Sequence, residues 1–395
     1  MKEVRLLLPL LLGLFVTVCS ATSLLALESD TVISGVAVVG PDGSICPDMA
    51  VVISAAGVIQ GVIPADQVDP ALHPMVMPEG SVLTPGLHDL LGSLGASGAL
   101  EAGTKVWDPE LNPADAFDPT DPLLDQVAKH GVLYTTIAAV PKGLANGVTA
   151  TFLCKSDSKA HSLDCSKDYY ALASSALNSS REPTSRAAMV AKWKEVLFYD
   201  GQTSSHMLRR NSGILYCPEA IDLRQSLDAG WGQLPIDGKD KDWGRLPVLV
   251  HSGDARSPLH RLAGRDDALM IVGPFLEGGD PVAVDTAVRA AQLGVELAFR
   301  GGLPAGPADH LRRSAAIALA AGLDPSAARR ALFSNPARVV DSDAIGVITP
   351  GARADLVLFS TDPLDPAAQV IEIWRGGQSR RVAPPGSVSE LEVPR

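Results

Sequence analysis

The chain has 395 residues, which is enough for one domain of about 250 residues, a smaller second domain and a leader. Apolar residues make up 46% of the chain, so a large core can be buried. The formal net charge of −12 argues against nucleic acid as a partner, because phosphate binding needs clustered Lys and Arg, and it indicates no substrate class.

The first residues have the pattern of a secretory signal peptide. Lys2 and Arg5 precede or flank an apolar run over residues 6–18, and small residues follow. The run is shorter than the ~20 residues that a membrane span needs, and the bulky residue before Cys19 disfavours lipidation there. We therefore predict that residues 1–21 are removed, that the mature protein is secreted or periplasmic, and that no membrane span remains.

Short strands separated by turns follow the leader. Residues 32–39, 50–54 and 58–63 are apolar or β-branched, and Gly-containing turns lie between them. Such a small meander cannot bury a face alone, so it needs a partner elsewhere in the chain.

Strands and helices alternate through residues 81–345. Helical periodicity over residues 121–130 stops before a strand at residues 132–140, and helix 282–293 precedes strand 295–299. This alternation is typical of a parallel sheet and predicts an α/β fold with a (β/α) TIM-type barrel. Residues 198–245 give no clear pattern and are interpreted as loop or insertion.

A second group of strands lies near the C-terminal end, at residues 354–359 and 370–374. Neither end can form a stable unit by itself. We therefore predict that residues 30–80 and 346–385 build one composite β-sandwich domain, with the barrel inserted between its halves.

Two stretches resemble the metal-dependent amidohydrolase superfamily, in particular its imidazolonepropionase-like branch. Residues 335–338 read NPAR and residues 350–357 read PGARADLV, while residues 83–89 read LTPGLHD, which is similar to the start of the family's first barrel strand. The resemblance covers residues 30–155 and 246–380. It implies the barrel and, as an activity class, metal-dependent hydrolysis of non-peptide C–N bonds.

The family's metal ligands are largely missing at the matching positions. Its His-x-His pair, which follows the first motif, corresponds to Leu91 and Ser93, and its aspartate at the last barrel strand corresponds to Gly302. Arg300 would place a positive charge where the dication should sit. The resemblance therefore implies a degenerate metal site, for which no cofactor is expected.

His251 is the one remnant metal ligand that can be aligned, because residues 247–251 are similar to a family strand that ends in a ligand histidine. A structural histidine is an equally good interpretation. Only 17 residues separate His251 from Leu269, so the barrel is expected to be truncated. His88 falls on the opposite strand parity and is interpreted as a packing residue. His260 is a weaker candidate ligand.

Lys155 is interpreted as a solvated loop lysine. Of the cysteines that follow the leader, Cys154 and Cys165 lie close enough in sequence to form a disulfide that closes a loop. Free thiols are an equally good interpretation.

Three functions remain open from the sequence. The first is a pseudoenzyme that acts as a secreted binding or interaction protein, with an unidentified small molecule or protein as partner. The second is a hydrolase of cyclic amides or dipeptides with an unusual one-metal site at His251, holding zinc or another divalent metal. The third is a structural protein. No catalytic residue can be assigned.

Overall fold

The structure is a computed structural model that describes residues 31–96, 98, 100, 105–198, 213–229, 246–254 and 257–382. The predicted signal peptide, residues 1–21, lies outside these residues. Within the described ranges, no helix is long and apolar enough to cross a membrane.

The strands of the described residues alternate with helices through the middle of the chain. In chain order the strands are β1 (Thr31–Val39), β2 (Ile45–Ile53), β3 (Ile59–Pro64), β4 (Met75–Val76), β5 (Val82–Pro85), β6 (Leu87–Gly92), β7 (Trp107–Asp108), β8 (Val132–Ile137), β9 (Ala145–Val148), β10 (Ala150–Leu153), β11 (Ser162–Leu163), β12 (Asp168–Ala171), β13 (Ile214–Tyr216), β14 (Val248–Val250), β15 (Leu269–Val272), β16 (Glu296–Phe299), β17 (Leu356–Phe359), β18 (Val370–Arg375) and β19 (Gln378–Arg381).

The α-helices of the same residues are α1 (Leu123–Ala128), α2 (Arg186–Phe198), α3 (Ala220–Ala229), α4 (Pro281–Gln292), α5 (His310–Ala320), α6 (Pro325–Leu332) and α7 (Ser334–Val339). Helices α4 and α6 both begin at an Asp-Pro pair. The carboxylate of Asp280 accepts the amide of Val282 at 2.9 Å, and Asp324 caps α6 in the same way. Proline fits the first helical turn because its missing N–H would have no partner there.

Strands from both ends of the described chain share one sheet. Its order is β19-β18-β17-β5-β1-β2-β3, with β4 beside β1. The sheet bends back on itself, since Val58 bridges to Arg353 and the carbonyl of Gly57 accepts the amide of Ala354 at 2.8 Å. Apolar side chains from both halves, such as Ile33 and Trp374, pack in one core.

The parallel strands of the middle region lie in two further sheets. Strands β6 and β8 are parallel in one sheet, and β12 through β16 are parallel in the other. Strand β10 pairs with β8 and β9 pairs with β12, both antiparallel. The α/β architecture with parallel strands is thus present, but no continuous ladder closes a barrel within the described residues. Within the described residues the parallel strands fall into two sheet segments, so the predicted TIM-type barrel, possibly truncated, stays a prediction here.

Residues 198–245, interpreted above as loop or insertion, include regular structure. Strand β13 and helix α3 lie within this range, and the remaining residues of the range, apart from a few at its margins, fall outside the described part of the chain. The strand is three residues long, which is too short for a period-two pattern to be recognised.

The segment after His251 is short, as expected. Strands β14 and β15 are adjacent and parallel, and the described residues between them contain one 3₁₀ turn at Leu259–Leu262 rather than an α-helix.

Candidate functional site

The carboxylate of Asp89, on β6, is bound by the chain that follows β16. It accepts the amides of Gly301 at 2.5 Å, Leu303 at 3.0 Å and Gly302 at 3.3 Å, and the Asp89 side chain is fully buried. Burial raises the pKa of Asp89, while the three N–H donors and the charge of Arg300 act in the opposite direction. We call this arrangement the Asp89 clamp. It joins β6 to the segment that follows β16.

The positions that match the family's metal ligands lie beside the clamp. Leu91 has a left-handed backbone with φ +56°, and the register of β6 against β8 shifts between Leu90 and Gly92. The amide of Ser93 donates to the carbonyl of Leu303 at 2.8 Å. Gly302, with φ +72°, offers its amide to Asp89 instead of a carboxylate to a metal. The backbone groups of Ser93 and Gly302 connect the end of β6 to the segment after β16. The side chains at these positions are not metal ligands.

His88 is buried in a network of hydroxyl groups. Its Nε2 lies 2.6 Å from Thr136 Oγ1, which in turn lies 2.8 Å from Thr151 Oγ1. Burial lowers the pKa of His88 to about 3, so the ring is neutral at neutral pH. The structure therefore places His88 as a packing residue.

His251, directly after β14, is buried and both of its ring nitrogens have partners. Nδ1 lies 2.6 Å from the carbonyl oxygen of Cys217, and Nε2 lies 2.9 Å from the hydroxyl oxygen of Ser257. Because a carbonyl only accepts, Nδ1 carries the hydrogen and Nε2 accepts from Ser257. The Ser257 hydroxyl itself accepts the amide of Asp254 at 3.1 Å. Burial lowers the pKa of His251, and the Cys217 carbonyl and Asp254 oppose that shift.

A cavity of about 700 Å³ lies at the carboxyl ends of β12, β13 and β14. Its walls are formed by the segments that follow these strands: residues 173–175, residues 218–221 with Tyr216 and Arg224, and residues 252–254. The carboxyl ends of parallel strands are where ligands bind both in (β/α) barrels and in open α/β sheets. The His251–Ser257 pair lies directly behind the last of these segments.

Charged groups are paired around the cavity. Arg186 Nη2 lies 2.9 Å from Glu219 Oε2, and its Nη1 also pairs with the buried Asp222. Ser174 donates to the other oxygen of Glu219 at 3.3 Å. Hydroxyl groups, the two acidic residues Glu219 and Asp254, and the exposed Arg224 of α3 therefore line the cavity together.

The remaining sequence candidates lie elsewhere. His260 is exposed on the 3₁₀ turn, and Lys155 pairs with Asp157 at 2.8 Å in a loop where both residues are partly buried. Cys154 and Cys165 are free thiols, as are the other cysteines of the described residues. The predicted alternative of a disulfide between these two is not formed.

No group of three or more His, Cys, Asp or Glu side chains that could hold a metal ion occurs in the described part of the chain. Sequence reasoning missed Asp89 and Ser257. Asp89 sits in the quoted motif, but its partners are more than 200 residues away. Ser257 follows His251 by six residues, a spacing that indicates no particular motif.

No protein-family model matches the sequence, and no curated protein matches it. Solved structures do match. An amidohydrolase from Thermotoga maritima MSB8 superposes with a TM-score of 0.71 at 18% identity, covering 89% of this chain and 100% of that one. A prolidase complexed with N-methylphosphonate-L-proline superposes with a TM-score of 0.53 at 16% identity, covering 89% and 99%. The chain therefore has the fold of these amidohydrolase structures, and the imidazolonepropionase-like branch stays a prediction.

Proposed function

We propose that this protein is a member of the amidohydrolase superfamily that has lost metal-dependent hydrolysis and binds a small molecule in the cavity at β12–β14. The solved structures that share the fold carry hydrolase names, so the fold by itself does not favour this loss. The loss is supported by the side chains at the carboxyl ends of the parallel strands, which offer too few donors for a catalytic metal.

A catalytic zinc needs about three protein ligands and an open position for water. The residues present do not fit such an ion. Leu91, Ser93 and Gly302 offer no suitable donor, and Asp89 is held by three backbone amides. His251 would have to give up the Ser257 hydroxyl to bind a metal through Nε2. These residues support no hydrolytic step through a metal.

The cavity suits a small polar ligand. Its volume of about 700 Å³ lies within the range of about 300–1,000 Å³ that small-molecule sites occupy. The hydroxyl groups of Ser174, Ser175, Ser252 and Tyr216 supply donors and acceptors, and Arg224 supplies a cation. A hydroxylated or carboxylated small molecule would find hydrogen-bond partners among these side chains, with a carboxylate placed at Arg224 and away from Glu219 and Asp254.

We further propose that this binding occurs outside the cytoplasm. The charged start, the apolar run over residues 6–18 and the small residues that follow support export. N-terminal sequencing of the secreted protein should give a chain that starts near Thr22, and an intact Met1 on cytoplasmic protein would exclude this.

Metal content tests the loss of metal chemistry. Protein purified without chelators and then incubated with zinc should retain less than ~0.1 equivalent after desalting, since one imidazole is a weak site. The second candidate, a one-metal hydrolase of cyclic amides or dipeptides, predicts ~1 equivalent of zinc. It also predicts that His251→Ala removes both the zinc and the activity. That pair of results would overturn the proposal.

A further inference from the structure

His251 and Ser257 form a hydrogen-bonded pair with the geometry of a general base and a nucleophile. Their atoms lie 2.9 Å apart, within the range that general-base catalysis requires. The Cys217 carbonyl, 2.6 Å from Nδ1, fixes the tautomer and leaves the lone pair of Nε2 directed at the Ser257 hydroxyl. A third group that orients the base completes the arrangement found in nucleophilic catalysis.

The pair lies behind one wall of the cavity. Asp254, a wall residue, donates its amide to Ser257 Oγ. Gly253, its neighbour in the same wall, lies so close that a Cβ there would be 2.4 Å from His251 Nε2 and 2.6 Å from Ser257 Oγ. A side chain at position 253 would therefore collide with both atoms. His251 is 1% exposed and Ser257 8%, and neither lines the cavity, so the proposed reaction requires a substrate to displace the Gly253–Asp254 wall.

We propose that Ser257 is a nucleophile and His251 its general base, and that the cavity carries out metal-independent acyl transfer on small carboxylic esters. This goes beyond the binding role proposed above, because it adds covalent chemistry that needs no metal. Binding of a ligand without any acylation would leave the binding role intact and remove this inference.

The reaction balances with water as the only co-reactant. Ser257 Oγ forms a bond to the carbonyl carbon of the ester while His251 Nε2 takes the hydroxyl proton. The bond from that carbon to the leaving oxygen breaks, and the leaving alcohol takes the proton from Nε2. Water then attacks the acyl-Ser257 ester, His251 accepts a proton from the water, and that proton returns to Ser257 Oγ as the acid departs.

The orienting group sets the substrate class. A backbone carbonyl holds the His251 ring but carries no full charge, so it stabilises the imidazolium less than a carboxylate would. Esters with good leaving groups are therefore the expected substrates, and amides, whose leaving group must be protonated, are not.

The test uses the full chain and a fluorophosphonate probe, which forms a stable adduct with an activated serine. We expect one adduct by intact mass and its location at Ser257 by peptide mapping. His251→Gln should slow labelling by about 100-fold, since general-base assistance contributes about 10²–10⁴. Hydrolysis of p-nitrophenyl acetate should fall in parallel.

Ser314→Ala is the matched control. Ser314 is a buried serine on α5 whose hydroxyl also accepts a backbone amide, from Phe275 at 2.9 Å, and it does not line the cavity. Its removal should leave labelling unchanged. Ser257→Ala should abolish labelling, and if that variant fails to fold, peptide mapping of the unsubstituted protein still decides. No adduct, or an adduct on any residue other than Ser257, would overturn the proposal.

Discussion

Removing the Asp89 carboxylate tests how the two ends of the parallel strand series are held together. In Asp89→Ala the three amides of Gly301, Gly302 and Leu303 lose their acceptor in a buried environment. The described residues offer these three amides no other hydrogen-bond acceptor that could replace the Asp89 carboxylate. The variant is therefore expected to be markedly less stable than the unsubstituted chain.

The size of the effect follows from the cost of unsatisfied donors. Leaving a buried donor without a partner costs about 1–3 kcal/mol. The Gly302 bond is long at 3.3 Å, so its loss counts least. With some access of water to the half-buried Gly302, we expect Asp89→Ala to lower the free energy of unfolding by about 3–5 kcal/mol.

Urea unfolding followed by circular dichroism measures this loss. Asp118→Ala is the control, because Asp118 also accepts a backbone amide, from Thr120 at 2.8 Å, but does so in solvent. Water can replace that acceptor, so the control should lose no more than about 1 kcal/mol. A change in Asp89→Ala as small as in the control would refute the clamp as a stabilising feature.

Three further predictions concern single residues. The pKa of His88 is about 3 in the fold against 6.5 unfolded, so the unfolded state binds the proton first. Stability should fall by about 1.4 kcal/mol per unit as pH drops from 6.5 towards 3. His88→Gln should reduce this slope in urea titrations, and an unchanged slope would contradict the burial of a neutral ring. Gly302→Asp should not create zinc binding by calorimetry, because Leu91 and Ser93 remain; a micromolar zinc site would show otherwise. Gly253→Ala should lower the melting temperature, since its Cβ would meet His251 Nε2 at 2.4 Å with φ +53°; an unchanged melting temperature would show that the wall can move.

Local patterns were sufficient for the elements that have their own sequence signals. The strand predicted at residues 32–39 is Thr31–Val39, and the helix predicted at residues 282–293 is Pro281–Gln292. The helix carries its own cap at Asp280 and the strand its own run of β-branched residues. Such signals need no information from distant residues.

Short parallel strands could not be found in the same way. Strands β12 and β13 have four and three residues, and they are defined by pairing with neighbours rather than by alternation. The site shows the same limit. The donors to Asp89 are 212 to 214 residues away in the sequence. Ser257 contacts His251 because of the path of the loop between them, and residue spacing alone does not predict that path.

The ends of β6 and β16 therefore differ from the ends of β12, β13 and β14 in the groups that they offer to a ligand. On one side, the amide of Gly302 is committed to Asp89, and Leu91 and Gly302 both have left-handed backbones. A metal site there would require new side chains, and a non-glycine residue at position 302 would have to adopt a positive φ. On the other side, the ends of β12, β13 and β14 leave a cavity with a neutral imidazole behind its wall. The described residues therefore leave room for a ligand at β12–β14, and they contain no group of three or more His, Cys, Asp or Glu side chains that could hold a metal ion. Functional experiments should therefore begin with the cavity and with Ser257.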